Sequence, residues 1–232
     1  MILAMYWPII GPQLPLFVVG LASLVWAVAI ESQLCVHIIP PFIYESITGI
    51  IPPQLGNLSF LTILGFQNNS FYGYLPDELA QLRRLKYLDF SYKNFNLQIP
   101  LWLASLTKLQ FLGLNENKFS GTIPQSLGNL SSLQQLYLDY NLLSGSIPSS
   151  IFNISSLHSE IPSTLSKCRS LQSLSLSYNY FTGAIPKEIG KLTQLKEIRI
   201  GHSRLQGSIP KDIGNLIQLT NMHLDDNNLQ VN

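Results

Sequence analysis

The stretch "LTKLQFLGLNENKFSGTIPQSLGN", residues 106–129, decides how the whole chain is read. In "LQFLGL" (109–114) Leu112 and Leu114 alternate with Phe111 and Gly113, the period-two pattern of a short strand with one buried face. Asn117, Phe119, Gly121 and Ile123-Pro124 follow at fixed offsets, and the whole unit recurs. An Ile-Pro or Leu-Pro pair stands at 51, 75, 99, 123 and 147, always 24 residues apart, then at 161, 185 and 209. Such a period overrides any estimate of domain number from length: one unit cannot bury its own leucines, and only stacking builds a core.

Each unit therefore predicts one strand, a turn at its Asn and a return along the far side of a coil. The Asn residues at 69, 117, 141, 179 and 227 are expected to enter the interior as a ladder, donating to and accepting from backbone groups of neighbouring coils. The repeated Gly allows a backbone conformation closed to other residues. The Pro after each Ile removes a donor and ends extended pairing.

Segment 149–166, "SSIFNISSLHSEIPSTLS", breaks the rhythm with a 14-residue step between Ile147-Pro148 and Ile161-Pro162. A coil without a strand would leave an unpaired sheet edge on each side. The expected solution pairs the strand of Leu136 and Leu138 directly with that of Leu174 and Leu176. One overlong coil then carries the surplus as a bulge.

Charged residues make up 12% of the chain and the formal net charge is +1, which gives no electrostatic case for nucleic acid or an anionic membrane surface. Residues 1–30 carry no charged side chain, and "LPLFVVGLASLVWAVAI" (14–30) is apolar apart from Pro15, Gly20 and Ser23. Ala27-Val28-Ala29 before Glu31 fits a signal-peptidase site, without the usual basic region ahead of it. Residues 1–30 are thus expected to be a signal peptide or a membrane anchor, 31–46 an irregular remnant of an N-terminal cap, and 47–232 the repeat array. Either reading of the first segment sends the array into the secretory pathway, to the cell surface or beyond, with membrane association only through that segment. Four sequons, at Asn57, Asn68, Asn129 and Asn153, agree with that route. The two cysteines, Cys35 and Cys168, are too many coils apart for a bridge and are expected as free thiols, Cys168 buried.

The pattern L-x-x-L-x-x-L-x-L-x-x-N-x-L-x-G-x-I-P resembles the plant-specific class of leucine-rich repeats, best known from ectodomains of receptor-like kinases. "NLSFLTIL", "SIFNISSL" and "LSKCRSLQSLSLS" are especially similar to the large subfamily that senses peptides or microbial patterns. The resemblance covers about residues 47–232. It implies a right-handed superhelical solenoid with a parallel concave sheet of about seven short strands, and a convex side of turns and short helical segments. It also implies a peptide or protein ligand on the concave or lateral face, and a co-receptor of the same repeat class. The departures are a missing paired-cysteine cap, Lys93 and Ser203 at Asn positions, Leu97 at a Gly position, and an array that stops inside a repeat. Both ends of such an array are expected to expose leucines.

No catalytic constellation stands out. Asp89-Phe90-Ser91 approaches one kinase motif, yet Phe90 falls on a core position and the other kinase parts are missing. Gly190-Lys191 lacks the Gly spacing of a phosphate loop, and the four His (37, 158, 202, 223) share no metal-ligand spacing. No cofactor and no metal are expected. The surface remains. Residues flanking the core leucines of each strand give the ligand-binding candidates Tyr87, Asp89, Tyr92, Phe111, Glu116, Tyr137, Asp139, Tyr140, Tyr178, Arg199, His202 and Asp225. Tyr87, Phe111, Tyr137, Tyr140 and Tyr178 are expected to form one aromatic track, which serves peptide recognition or simply packs coil on coil. Three roles stay open: a non-catalytic recognition module in cell-surface signalling or defence, a secreted inhibitor of cell-wall enzymes, and a fragment of a receptor serine/threonine kinase.

Overall fold

A computed structural model describes residues 26–30, 33–37, 48–66, 70–153 and 170–230. Seven three-residue strands form the concave sheet: Ile63–Gly65, Tyr87–Asp89, Phe111–Gly113, Gln135–Tyr137, Ser173–Ser175, Glu197–Arg199 and Asn221–His223. All pair in parallel and in strict order, with the central Leu, Ile or Met of each strand opposite that of the next. The stretch expected as a leader contributes the strand Trp26–Ile30, and the lead-in contributes Gln33–His37. These two pair antiparallel, and the second pairs with Ile63–Gly65, so the sheet has nine strands. The rest of 1–47 lies outside the described residues, as do Cys168, His158, Asn68 and Asn69 and the side chains of Cys35 and Asn153.

Each coil returns through a single turn of 3-10 helix placed directly after its Pro, as in Leu101–Ser105 after Pro100 and Lys187–Lys191 after Pro186. The ring fixes φ near −65°, so the Pro stands ready to open the turn and loses nothing for its missing N–H. Short lateral strands such as Leu142–Ser146, Tyr180–Thr182 and Gln206–Ser208 cover one side.

The core is the stack of inward Leu and Ile, of which Leu112, Leu136, Leu174 and Ile198 are fully buried. Each removes apolar area worth about 1.5–3 kcal/mol. Phe90 is fully buried, stacked on Phe66 at 5.1 Å and edge-on to Phe95 at 5.4 Å, which makes it a packing residue. Burial falls off in the last coil: Met222, in register with Ile198, is 48% exposed.

Direct pairing across the interruption is present. Gln135–Tyr137 bonds to Ser173–Ser175 with Leu136 opposite Leu174. Of the segment between them, residues 154–169 lie outside the described residues.

The interior Asn residues make one repeated set of bonds. Asn141 Nδ2 donates to the carbonyls of Leu114 (2.9 Å), Leu138 (3.0 Å) and Asp139 (3.2 Å), while its Oδ1 accepts from Phe119 N–H at 3.0 Å. Asn117, Asn179 and Asn227 repeat this, satisfying backbone groups that a turn would otherwise orphan. Lys93 occupies the same place in its coil and is buried. An ammonium group donates but cannot accept. Burial lowers its pKa, and the charge of Asp89 only partly opposes this. Leu97, where other coils carry Gly, adopts φ 68° and leaves its side chain 61% exposed.

Candidate functional site

The concave face is built by side-chain columns, one residue per coil in each. The outward residues of the strands place Tyr87 against Phe111, with ring centroids 4.2 Å apart and planes at 12°. Phe111 meets Tyr137 at 5.5 Å and 47°. Beside them lies an open depression of about 400 Å³ lined by Thr62, Ile63, Lys86, Tyr87, Gln110, Phe111, Gln134 and Gln135. Tyr87 donates its hydroxyl to Asp89 Oδ2 at 3.1 Å, and Asp89 Oδ1 accepts from Ser91 N–H at 3.0 Å. Gly113 makes room for this cluster: a Cβ there would stand 2.9 Å from Asp89 Oδ1 and 2.8 Å from Ser91 Oγ.

A second column stands at the strand's exit. Tyr92, Glu116, Tyr140, Tyr178, His202 and Asp226 each precede the ladder position, and all have positive φ, from 49° to 59°. The left-handed turn that sends the next residue inward throws these side chains onto the rim. Tyr140 stacks on Tyr178 at 4.1 Å and 10°, and Tyr178 on His202 at 4.0 Å and 14°. A hydrogen bond with Tyr178 holds the Tyr140 phenol above its usual pKa. His202 then meets Asp225 through Nε2 (3.1 Å) and Asp226 through Nδ1 (2.8 Å). Gly201 admits Asp225, whose Oδ1 would lie 2.9 Å from a Cβ.

The aromatic residues expected as one track are thus two columns, Tyr87–Phe111–Tyr137 and Tyr140–Tyr178–His202. Tyr137 and Tyr140 sit on opposite sides of the strand end, three residues apart, and cannot stack in one file. Between the columns, Asp139 is half-buried, and burial raises its carboxyl pKa against a hydrogen bond from Ser175 and the charge of Arg199. Arg199 is held by Glu197 at 2.6 Å and is half exposed. Glu116 and Tyr92 are exposed rim residues.

Sequence reasoning missed the grouping of His202 with Asp225 and Asp226, whose ligand-capable atoms lie within 4.8 Å of one another. No spacing motif announces it, because coil stacking brings together residues a full repeat apart. Each ring nitrogen faces a separate carboxylate, and the group caps the Tyr stack.

A family model described as Leucine Rich Repeat matches residues 108–130, 132–154 and 170–192. The array is made of leucine-rich repeats. Among solved structures, this leucine-rich-repeat chain is similar to the plant peptide hormone receptor RGFR1 in complex with RGF2, at 35% identity and a TM-score of 0.64. That match covers 79% of this chain and 31% of the receptor chain. It is also similar to the Arabidopsis receptor kinase HAESA in complex with the peptide hormone IDA and the co-receptor SERK1 (27% identity, TM-score 0.52, covering 79% of this chain and 41% of that chain). A plant ice-binding protein matches at 26% identity and a TM-score of 0.57, covering 79% of this chain and 72% of that one. No curated protein matches the chain by sequence. The chain spans about a third of the RGFR1 chain. Several of its structural neighbours are plant receptors solved with a bound peptide hormone. Among the described residues no helix is long and apolar enough to cross a membrane.

Proposed function

We propose that the chain is a non-catalytic recognition module of receptor-kinase type, acting in the extracellular space. It binds a peptide or small protein along the concave face. The observation that carries this reading is the continuous polar and aromatic surface from Tyr87 to Asp225, unbroken by the irregular coil, on a fold whose neighbours bind peptide hormones. In this reading the edges of Phe111, Tyr137 and Tyr178 supply apolar anchors, and Asp89, Glu116, Asp139, Arg199 and Asp225 set register by charge. Tyr92, Tyr140 and His202 form the rim. A co-receptor of the same repeat class would complete the complex, as SERK1 does for HAESA. The uncharged apolar stretch ahead of the strand Trp26–Ile30 supports a secretory route. Asn57 and Asn129 are exposed at the ends of 3-10 turns, where a glycan can be carried. A role as an inhibitor of cell-wall enzymes, or as part of a longer receptor kinase, uses the same face.

The test is selection of peptides from a random displayed library on the whole chain, followed by calorimetry with the winners. Tyr137→Ala and Tyr178→Ala should each weaken binding about tenfold or more. Winners that bind both variants as tightly as the parent would place recognition elsewhere. Ice binding is the second reading, favoured by the ice-binding neighbour whose length this chain mostly spans. Growth of faceted ice crystals and thermal hysteresis in the purified chain would establish it in place of the first.

A further inference from the structure

Where the chain turns into the concave sheet, two neighbouring coils gather four cations. Arg83 and Arg84 sit in the turn after the 3-10 segment Asp77–Gln81, and Lys86 leads into the strand Tyr87–Asp89. Lys108 stands in the turn of the next coil. All four are exposed, and none forms an ion pair with a described residue. Stability alone would not choose their arrangement. Tyr87 is in register with Phe111, and Gln110 N–H bonds to the Lys86 carbonyl at 2.7 Å, so Arg84 and Lys108 hold the same position in successive coils. Coils stack about 4.8 Å apart. Like charges side by side at that spacing repel, and among the described residues no ion pair offsets the cost.

The acids of these two coils are placed elsewhere. Asp77 and Glu78 open the turn on the convex side, and Glu116 stands on the opposite rim. Asp89 is buried and accepts from the Tyr87 hydroxyl and the Ser91 N–H. The cluster is also short. The matching entry segments on either side, 57–62 and 129–134, carry no charge, and Lys191 and Lys196 stand on the same edge three coils beyond Lys108. A polyanion or a lipid surface gains from cations that continue along a stripe, whereas a two-coil cluster suits a localised pair of negative charges.

The cations continue the concave surface. Lys86 lines the open depression together with the stacked rings of Tyr87 and Phe111 and the amides of Gln110, Gln134 and Gln135. Stacked rings offer apolar area, and amides both donate and accept, as a peptide backbone requires. Phe60, 41% exposed, precedes Arg84 in the same file. Given the concave-face peptide reading, on which this depends, we infer that this corner receives an acidic segment of the peptide. Alternate side chains of an extended peptide share one side, so an Asp or Glu at i and another at i+2 reach the cations together. One carboxylate sits between Arg84 and Lys108 and the other at Lys86, with an apolar neighbour on Tyr87 and Phe111. The carboxylates of Asp139, Asp225 and Asp226 in later coils repel such a segment and so set the direction of the ligand.

The probes are two displayed libraries of short peptides, random except for a fixed Asp-x-Asp or a fixed Asn-x-Asn. Selected on the full chain, the first should yield binders about tenfold tighter than the second, an advantage that shrinks with added salt. In calorimetry with an Asp-x-Asp winner and its Asn-x-Asn counterpart, the parent should prefer the acidic peptide about tenfold. Arg84→Gln/Lys108→Gln should bind the two alike, with a melting temperature equal to or above that of the parent, since a like-charge pair is gone. Lys187→Gln/Lys211→Gln removes the same charge from two convex turns and should leave the preference intact. The inference is overturned if the Arg84/Lys108 variant keeps the preference or the convex variant loses it. Winners that bind equally with either pair and weaken with Tyr137→Ala would overturn it and leave the concave-face reading standing. No winners from either library would overturn both. Polygalacturonate that binds the parent more tightly than the acidic peptide, and is lost in the Arg84/Lys108 variant, would make the corner a polymer site and overturn it as well.

Discussion

Two junctions between coils invite comparison, the regular one from Phe111–Gly113 to Gln135–Tyr137 and the overlong one from there to Ser173–Ser175. Across the first, Leu114 N–H bonds to Tyr137 O at 2.8 Å and Glu116 N–H to Asp139 O at 2.9 Å. Across the second, Leu138 N–H bonds to Ser175 O at 2.8 Å and Tyr140 N–H to Ser177 O at 3.0 Å. The ladder is equally indifferent. Asn141 reaches back 27 residues to Leu114 O at 2.9 Å, and Asn179 reaches back 41 residues to Leu138 O at 3.0 Å, a difference of 14. The sheet and its Asn residues set the spacing of the coils, and the return path absorbs whatever length is left. Loop closure grows only logarithmically with length, at roughly 0.6 kcal/mol per doubling, so surplus chain outside the ladder costs little.

The largest effect should come from breaking the ladder where the chain is irregular. Asn179→Ala orphans three carbonyls and the N–H of Leu143, all in the interior, and should cost about 3 kcal/mol in urea denaturation. Asn141→Ala should cost the same within about 1 kcal/mol. A much smaller loss at Asn179 would mean that the overlong junction is held by something other than the ladder.

Lys93→Asn sharpens the comparison from the other side. It places an amide oxygen 22 residues from the N–H of Phe71, the spacing at which Asn117 accepts from Phe95, and removes a buried ammonium. The expected gain is about 1–2 kcal/mol at neutral pH. The sign with pH follows from the lowered pKa of Lys93. The folded state releases its proton first, so the parent gains stability as pH rises toward the ordinary value of 10.5, and the advantage of the variant shrinks. Denaturation midpoints at neutral and alkaline pH measure both.

Deleting residues 154–167 joins Asn153 to Cys168, keeps the buried turn of Ile151 and Phe152, and returns the interval to 24. Stability should change by no more than about 1 kcal/mol, with peptide binding on the concave face retained. The smallest effect is at Asp139. Its raised pKa means that the folded state binds the proton more tightly than the unfolded chain does. The parent should therefore gain stability as pH falls from neutral toward the ordinary aspartate value of 3.8. Asp139→Asn should abolish that gain and add a few tenths of a kcal/mol at neutral pH, as melting curves across this range would show.

Much of this architecture is legible in the sequence because the repeat is written in every coil. Leu112 and Leu114, Asn117 and Ile123-Pro124 state strand, ladder and turn from their offsets alone. The continuity of the sheet past 149–166 follows from the cost of a missing strand. What the offsets do not carry is the third dimension between coils. Tyr137 and Tyr140 are near in sequence and fall in different columns because a left-handed residue turns the chain between strand and ladder. His202 meets Asp225 and Asp226 only because stacking superposes one coil on the next. Gly113 and Gly201 read as gaps in a strand pattern, and the structure shows them as the space that Asp89 and Asp225 occupy.

The continuity of the recognition surface is tested most directly by hydrogen exchange, residue by residue, in the native chain. The amides of Leu138 and Tyr140 should be protected as strongly as those of Leu114 and Glu116, and all four should exchange together under mild denaturant. Fast exchange at Leu138 and Tyr140, with Leu114 and Glu116 still protected, would show the sheet broken at the irregular coil and contradict the account.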